Sequence, residues 1–316
     1  MTGDPADELW PHFKPLWTDL RGIAPGLVLA GGYGLFLKQK WLLSEVSYLI
    51  TEDGDYLTTE KGERMIVEPG IPTLVAVYQW NDQTPRVTKD LDFVVELNLI
   101  ASPDAQHRLD RVLAKHDFKV VTENARWQFE KLVDAQHRVV VDFHAPSPVG
   151  KRNDVRVQSR RVKPNPSLRQ TGIHGRQNAE SIGCELHPFS FAFNGVKIVI
   201  PNPVTLAFMK LMAMRDRRLA SQNAARSATE RELEGSQARK HAHDVCRVMA
   251  MITREENELV PRLLKAVRPT PVFADAADTF RNFFLGDEAW VPQIEADMWR
   301  AEDFRLIQDT LATWFR

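Results

Sequence analysis

Asp90 and Asp92 stand two residues apart in the run Arg86-Val-Thr88-Lys-Asp90-Leu-Asp92-Phe93-Val-Val. If that run is a β-strand, its period of two puts both carboxylates on one face and Leu91 and Phe93 on the other. Like charges side by side repel, and a cation between them relieves the repulsion. Magnesium suits the pair, since it is held by one or two carboxylates together with phosphate oxygens. The plainer alternative is the solvated face of an edge strand. A third carboxylate, Asp142, lies in Arg138-Val-Val-Val-Asp142-Phe-His144 and shares a strand face with Val140 and His144. Gly31-Gly32 ends a short apolar run and precedes a helical pattern, a layout that brings backbone N–H groups close to an anion. Singly, Asp142 also reads as an exposed strand residue, and the glycines as an ordinary tight turn. In combination they outline a two-metal site for phosphoryl transfer.

A candidate cation lies further along. Asn202-Pro203 caps a helix that is apolar nearly all round, yet Lys210 interrupts it. A buried lysine needs an anion, which a protein carboxylate or a nucleotide phosphate can supply; snorkelling to the surface is the third option. Downstream, Lys240 and Asp244 in Arg239-Lys-His-Ala-His243-Asp244 have the spacing of a surface ion pair, while Asp244 can instead hold Lys210 or a nearby arginine. A His-Asp phosphohydrolase centre fits poorly, because His241 and His243 do not share a helix face.

These residues need elements to position them. The periodicity predicts a helix over about 6–20, a buried strand over 26–30 and a helix over 33–43. Strands follow at 73–79 and 90–95, a helix from Ser102 to about His116, and a hairpin of 126–132 with 138–144 that turns at Asp134-Ala-Gln-His137. Residues 146–184, rich in basic side chains, Pro, Gly and Ser, read as loop with marginal strands, and β character resumes over 189–200. Helices occupy the remainder: 204–219, a charged link over 221–237, 240–252 and on to Arg316. The expected organisation is an α/β domain over 1–200, with an insertion at about 44–85, and a helical domain over 201–316.

Composition bounds the rest. With 316 residues, 43% apolar and 26% charged, the chain has the makeup of a soluble globular protein. Its net charge of −1 gives no global attraction to nucleic acid or membrane, so any basic site must be local. The stretch Lys151-Arg-Asn-Asp-Val-Arg156 through Arg160-Arg161-x-Lys163 is one such, reading either as solvated loop charge or as a grip for an RNA backbone. Two distant cysteines, Cys184 and Cys246, make a disulfide framework unexpected. With no apolar signal core near Met1 and no apolar run of membrane-spanning length, a cytoplasmic protein without membrane association is expected.

The assembled pattern resembles the polymerase-beta-like nucleotidyltransferase superfamily and, within it, the AbiEii-type abortive-infection toxins. The resemblance rests on Gly31-Gly32-x-x-Leu35, Arg86-x-Thr88-x-Asp90-x-Asp92-Phe93 and Val141-Asp142-Phe143. It also rests on Leu206-x-x-x-Lys210-Leu-x-Ala213-x-x-x-Arg217 and Lys240-His-x-x-Asp244-Val. Here the glycine pair precedes Asp-x-Asp by more residues than is usual in the family, and His241 stands where an aspartate is common. The resemblance implies an α+β fold: a nucleotidyltransferase-type mixed β-sheet with flanking helices, followed by a C-terminal helical part. It implies Asp90, Asp92 and Asp142 as ligands of two Mg²⁺ ions, with Asp142 the general base. A nucleoside triphosphate would be the co-substrate, bound by Gly31, Gly32, Arg86, Thr88, Lys210, Arg217 and Asp244. Implied acceptors are the 3′ end of tRNA or a protein hydroxyl, with a cognate antitoxin as possible partner. Transfer to an antibiotic-like small molecule and binding without turnover remain the alternatives.

Overall fold

The computed structural model describes residues 7–52, 55–60, 64–82, 88, 90–124, 126–148, 150, 152–166, 172–286 and 289–316. Arg86, Lys151 and the Asp53-Gly54 turn lie outside the described residues. The chain opens with α1 (Trp10–Ile23), β1 (Val28–Leu29), α2 (Gly31–Ser44), β2 (Ser47–Tyr48) and β3 (Ile66–Glu68). Next come β4 (Asp90–Val94), α3 (Leu97–Ala101), α4 (Pro103–Lys115), β5 (Lys119–Val120), β6 (Gln128–Leu132) and β7 (Arg138–Ala145). β8 (Val155–Gln158), β9 (Arg161–Pro164), β10 (Gly175–Gln177), β11 (Phe189–Phe193) and β12 (Val196–Ile200) complete the strands. The helices α5 (Pro203–Gln222), α6 (Ala228–Ala250), α7 (Arg254–Val267), α8 (Pro271–Phe284), α9 (Trp290–Glu295) and α10 (Ala301–Trp314) follow. The protein is therefore mixed α/β, with a mixed sheet and C-terminal helices. Among the described residues no helix is long and apolar enough to cross a membrane.

The chain forms two compact units, Met1–Gly34 with Arg86–Leu206, and Leu35–Pro85 with Ala207–Arg316. The segment expected as an insertion in the α/β domain thus clusters with the C-terminal helices, and the division falls inside α2 and α5.

In the first unit the sheet runs β1-β4-β7-β10-β9-β8, with β6 also on β7 and β5 on β6. β4 and β10 are parallel to β7, and the other pairs are antiparallel. Strand alternation sorts the faces. Leu91, Phe93, Val141 and Phe143 are fully buried, while Asp90 is exposed and Asp92 and Asp142 are half-buried. The apolar face packs under α1, where Trp17 stacks on Phe93 at 5.8 Å and Phe93 meets Phe143 at 5.7 Å. Burying each such ring is worth roughly 1.5–3 kcal/mol, so this face fixes the strand register and with it the opposite, acidic face. Ser102 caps α4 by accepting the Ala105 N–H at 3.3 Å. β11 and β12 join through Asn194-Gly195, both at positive φ, as a two-residue hairpin turn demands. β8, β9 and β10 give the basic 146–184 region more order than expected, because each finds a ladder partner at the sheet's far edge.

In the second unit two expectations fail. Residues 73–79 are not a strand: Val77–Gln79 is a short 3₁₀ turn. The Leu74 and Val75 N–H groups bond the Ile252 and Ala250 carbonyls at 2.9 and 3.1 Å, so the apolar run is buried against the end of α6 rather than in a sheet. The charged link over 221–237 is mostly helix. Ser227 and Glu230 form a reciprocal capping box that starts α6 at Ala228, and helix runs from there through the charged residues.

Candidate metal centre

The parallel register of β4 on β7 sets Asp92 directly opposite Asp142. Neighbouring strands lie about 4.8 Å apart, so the two carboxylates meet on the acidic face. His144, two residues beyond Asp142, returns to the same face, and its Nε2 lies 3.1 Å from Asp92 Oδ1. Asp92, Asp142 and His144 each place a ligand atom within 4.8 Å of the others. On the far side of β7, β6 sets Gln128 opposite Asp142, and the Gln128 side chain hydrogen-bonds its carboxyl.

Gly31 closes the site from the β1 side. Ala30 N–H donates to the Asp92 carbonyl at 2.8 Å, which draws the start of α2 against β4. Gly31 has φ +68°, and a Cβ there would lie 1.9 Å from Asp92 Oδ2. Only glycine meets both demands: left-handed backbone and no atom where the carboxylate sits. The N–H groups of a helix's first turn therefore begin beside Asp92.

Burial, reinforced by the Asp92 charge, lifts the Asp142 carboxyl from its ordinary 3.8 to about 6, while the Gln128 hydrogen bond and the nearby His144 work the other way and Asp90 adds to the rise. Among the described residues, Asp142 Oδ1 and His144 Nδ1 are buried without a hydrogen-bond partner. Because a carboxylate only accepts, the contact with Asp92 makes His144 Nε2 the donor, with Nδ1 buried on the other side of the ring. Buried polar atoms without partners are rare in folded proteins, and a cation between the carboxylates answers Asp142 Oδ1. Oxygen and imidazole donors grouped this way fit a divalent metal ion.

The residues singled out from the sequence divide between the units. Asp92, Asp142 and Gly31 converge, and Gly32 follows as the buried second residue of α2. Asp90 shares the acidic face one step towards the start of β4, opposite Val140, and is exposed. Thr88 Oγ1 accepts the Asp90 N–H at 3.4 Å, a backbone-positioning role. Arg86 lies outside the described residues.

Lys210, Arg217 and Asp244 belong to the second unit. There Lys210 is buried and bonded to Asp244 Oδ2 at 2.7 Å, the carboxylate option that the sequence left open. Arg217 donates to Glu234 at 2.8 Å, with Arg226 on the other oxygen at 2.9 Å. His241 approaches Asp244 at 3.9 Å. A second buried pair, Lys38 with Glu256 at 2.6 and 2.7 Å, escaped notice in the sequence. So did the roles of His144 and Gln128. The signal for His144 was present, since it shares the Asp142 face by strand period; Gln128 needed the β6–β7 register.

Comparison with protein-family models, with curated proteins and with solved structures finds no match.

Proposed function

We propose that this protein is a metal-dependent nucleotidyltransferase that moves a nucleoside monophosphate from a triphosphate to a hydroxyl acceptor, as a toxin of the abortive-infection kind. The observation that carries this proposal is the register pairing of Asp92 with Asp142 beside the Gly31 approach. Opposed carboxylates next to a helix start are the parts a phosphoryl-transfer site needs. On this view the first unit takes the nucleotidyltransferase-type fold.

Asp92 and Asp142 would hold the divalent ion, with Asp90 facing the bound triphosphate from the exposed end of the row. A divalent ion bound there supplies charge neutralisation of the phosphate oxygens during in-line displacement. The first turn of α2 orients the phosphate chain through backbone N–H groups, and Gly31 lets that chain come close. Asp142 would accept the proton of the acceptor hydroxyl as its oxygen bonds to the α-phosphorus and the bond to the β-phosphate breaks, with pyrophosphate leaving. Gln128 keeps its carboxyl oriented.

A tRNA acceptor is favoured over a protein by the β8–β9 hairpin, which carries exposed Arg156 and Arg160 with half-buried Arg161. Lys163 of the same stretch is buried and bonded to Gln158, so it adds to the hairpin rather than to its surface. The test is transfer of label from each α-³²P nucleoside triphosphate, with Mg²⁺ or Mn²⁺, to total tRNA. Labelled tRNA is expected. Label on protein would move the acceptor to a protein hydroxyl, label on an added aminoglycoside would move it to a small molecule, and no label with any nucleotide would refute the transferase.

A further inference from the structure

We infer that His144 is a metal ligand in this centre and that it tilts the site towards first-row transition ions such as Mn²⁺, Co²⁺ or Zn²⁺ and away from Mg²⁺. The inference rests on the carboxylate pair being a metal centre, and adds to it an imidazole that an all-oxygen magnesium site does not use.

His144 lies on β7 two residues past Asp142, so strand alternation returns its side chain to the acidic face. His144 is buried and its side chain lies among the ligand-bearing groups rather than at the surface. One nitrogen contacts Asp92 Oδ1 at 3.1 Å, and the other is buried with no partner. Asp142 Oδ1, in the same cluster, is also buried without a donor. Nε2 is the nitrogen that faces the carboxylates, so a bound ion would take Nε2 together with Asp92 and Asp142, in place of the Nε2–Asp92 contact.

The ligand atoms fall within 4.8 Å of one another. Metal–ligand distances of about 2.0–2.2 Å separate ligand atoms by up to roughly twice that, so closure onto an ion needs only a small inward movement. Chemistry then decides among ions. Carboxylate and water ligands suit magnesium, whereas imidazole favours the later first-row ions. Magnesium also holds its waters tightly and gains little from a nitrogen donor. Of the three side chains, His144 is the one that discriminates.

The test uses the full chain stripped with EDTA and then dialysed free of chelator. Co²⁺ and Mg²⁺ binding are measured by calorimetry, and the visible Co²⁺ absorption is recorded alongside. The parent chain is expected to bind Co²⁺ more tightly than Mg²⁺, with an absorption band that changes on nitrogen ligation. H144A should lose at least the roughly 10–100-fold in Co²⁺ affinity that removal of an outer partner of a metal ligand costs, and should change Mg²⁺ affinity by less than about two-fold. H144Q, which keeps a polar side chain, guards against a folding defect, and circular dichroism checks both variants. If H144A and H144Q keep the parent's Co²⁺-to-Mg²⁺ affinity ratio and spectrum, His144 is not a ligand, although the carboxylate centre stands. If the parent chain binds neither ion, and D92N behaves the same, the metal centre and the role of His144 fall together. Metal binding with the expected selectivity but no nucleotidyl transfer would overturn the transferase reading alone.

Discussion

Asp142→Asn is expected to stabilise the metal-free protein at pH 8. Burial, together with the Asp92 charge facing it, raises the Asp142 carboxyl from 3.8 to about 6 in the folded state. A folded value above the unfolded one means that protonation favours the fold. That contribution is fully present below pH 3.8, diminishes as pH rises through 6, and is absent at pH 8. The rise corresponds to at most about 3 kcal/mol, at about 1.4 kcal/mol per tenfold change in proton affinity. Asparagine keeps the shape and one acceptor oxygen for Gln128 but carries no charge against Asp92. The variant should therefore gain up to about 3 kcal/mol at pH 8, or about 6–12 °C in the melting point of a unit of this size, and only about 0.5 kcal/mol at pH 4. Scanning calorimetry in EDTA at pH 4, 6 and 8 reads this directly. Adding a divalent ion at a hundred times its Kd stabilises the parent by about 2.7 kcal/mol and should close most of the gap, whereas Asp142→Asn should respond far less. A variant no more stable than the parent at pH 8, or a difference that is the same at pH 4 and pH 8, would refute the electrostatic account of the site.

Other perturbations probe the remaining parts. Gly31→Ala should cost about 1–2 kcal/mol for the left-handed backbone and push the Asp92 carboxylate aside; Co²⁺ affinity is expected to fall, and unchanged binding would show that Gly31 does not abut Asp92 as observed. Lys210→Met removes the lysine bonded to the buried Asp244 and should cost about 3–5 kcal/mol in urea denaturation, with Lys210→Met/Asp244→Leu recovering much of it. Equal losses in the single and double variants would argue that the pair is not isolated. Arg156→Glu/Arg160→Glu should weaken tRNA labelling several-fold and flatten its salt dependence without altering Co²⁺ binding; full tRNA labelling would remove the β8–β9 hairpin from the acceptor site. Ser227→Ala removes one half of the α6 capping box and should cost about 1 kcal/mol, measured by thermal melting.

Much of the site was legible because strand period is a local property. Asp90 with Asp92, and Asp142 with His144, share faces by alternation alone, and the buried apolar residues between them confirm the sorting. Helix starts announced by a side chain were legible as well, as at Ser102. The Ser227-x-x-Glu230 signal is equally local, but the charged residues around it carry no apolar period to mark the helix. Residues 73–79 misled for the opposite reason: an apolar, β-branched run satisfies strand periodicity, but its backbone partners are the Ala250 and Ile252 carbonyls, far along the chain.

By itself, then, the sequence determined which carboxylates lie on which strand face, where a glycine pair meets a helix, and that a lysine interrupts an apolar helix. Tertiary structure decided which of those groups meet. Parallel pairing across a long connection put Asp92, not Asp90, opposite Asp142. The same packing brought the His144 ring to Asp92, drew Gly31 into left-handed backbone against the carboxylate, and gave Lys210 to Asp244. It also grouped residues 35–85 with the C-terminal helices. The physical reason is that face and cap depend on neighbours a few residues away, whereas register and ion pairing depend on how distant apolar surfaces are buried together.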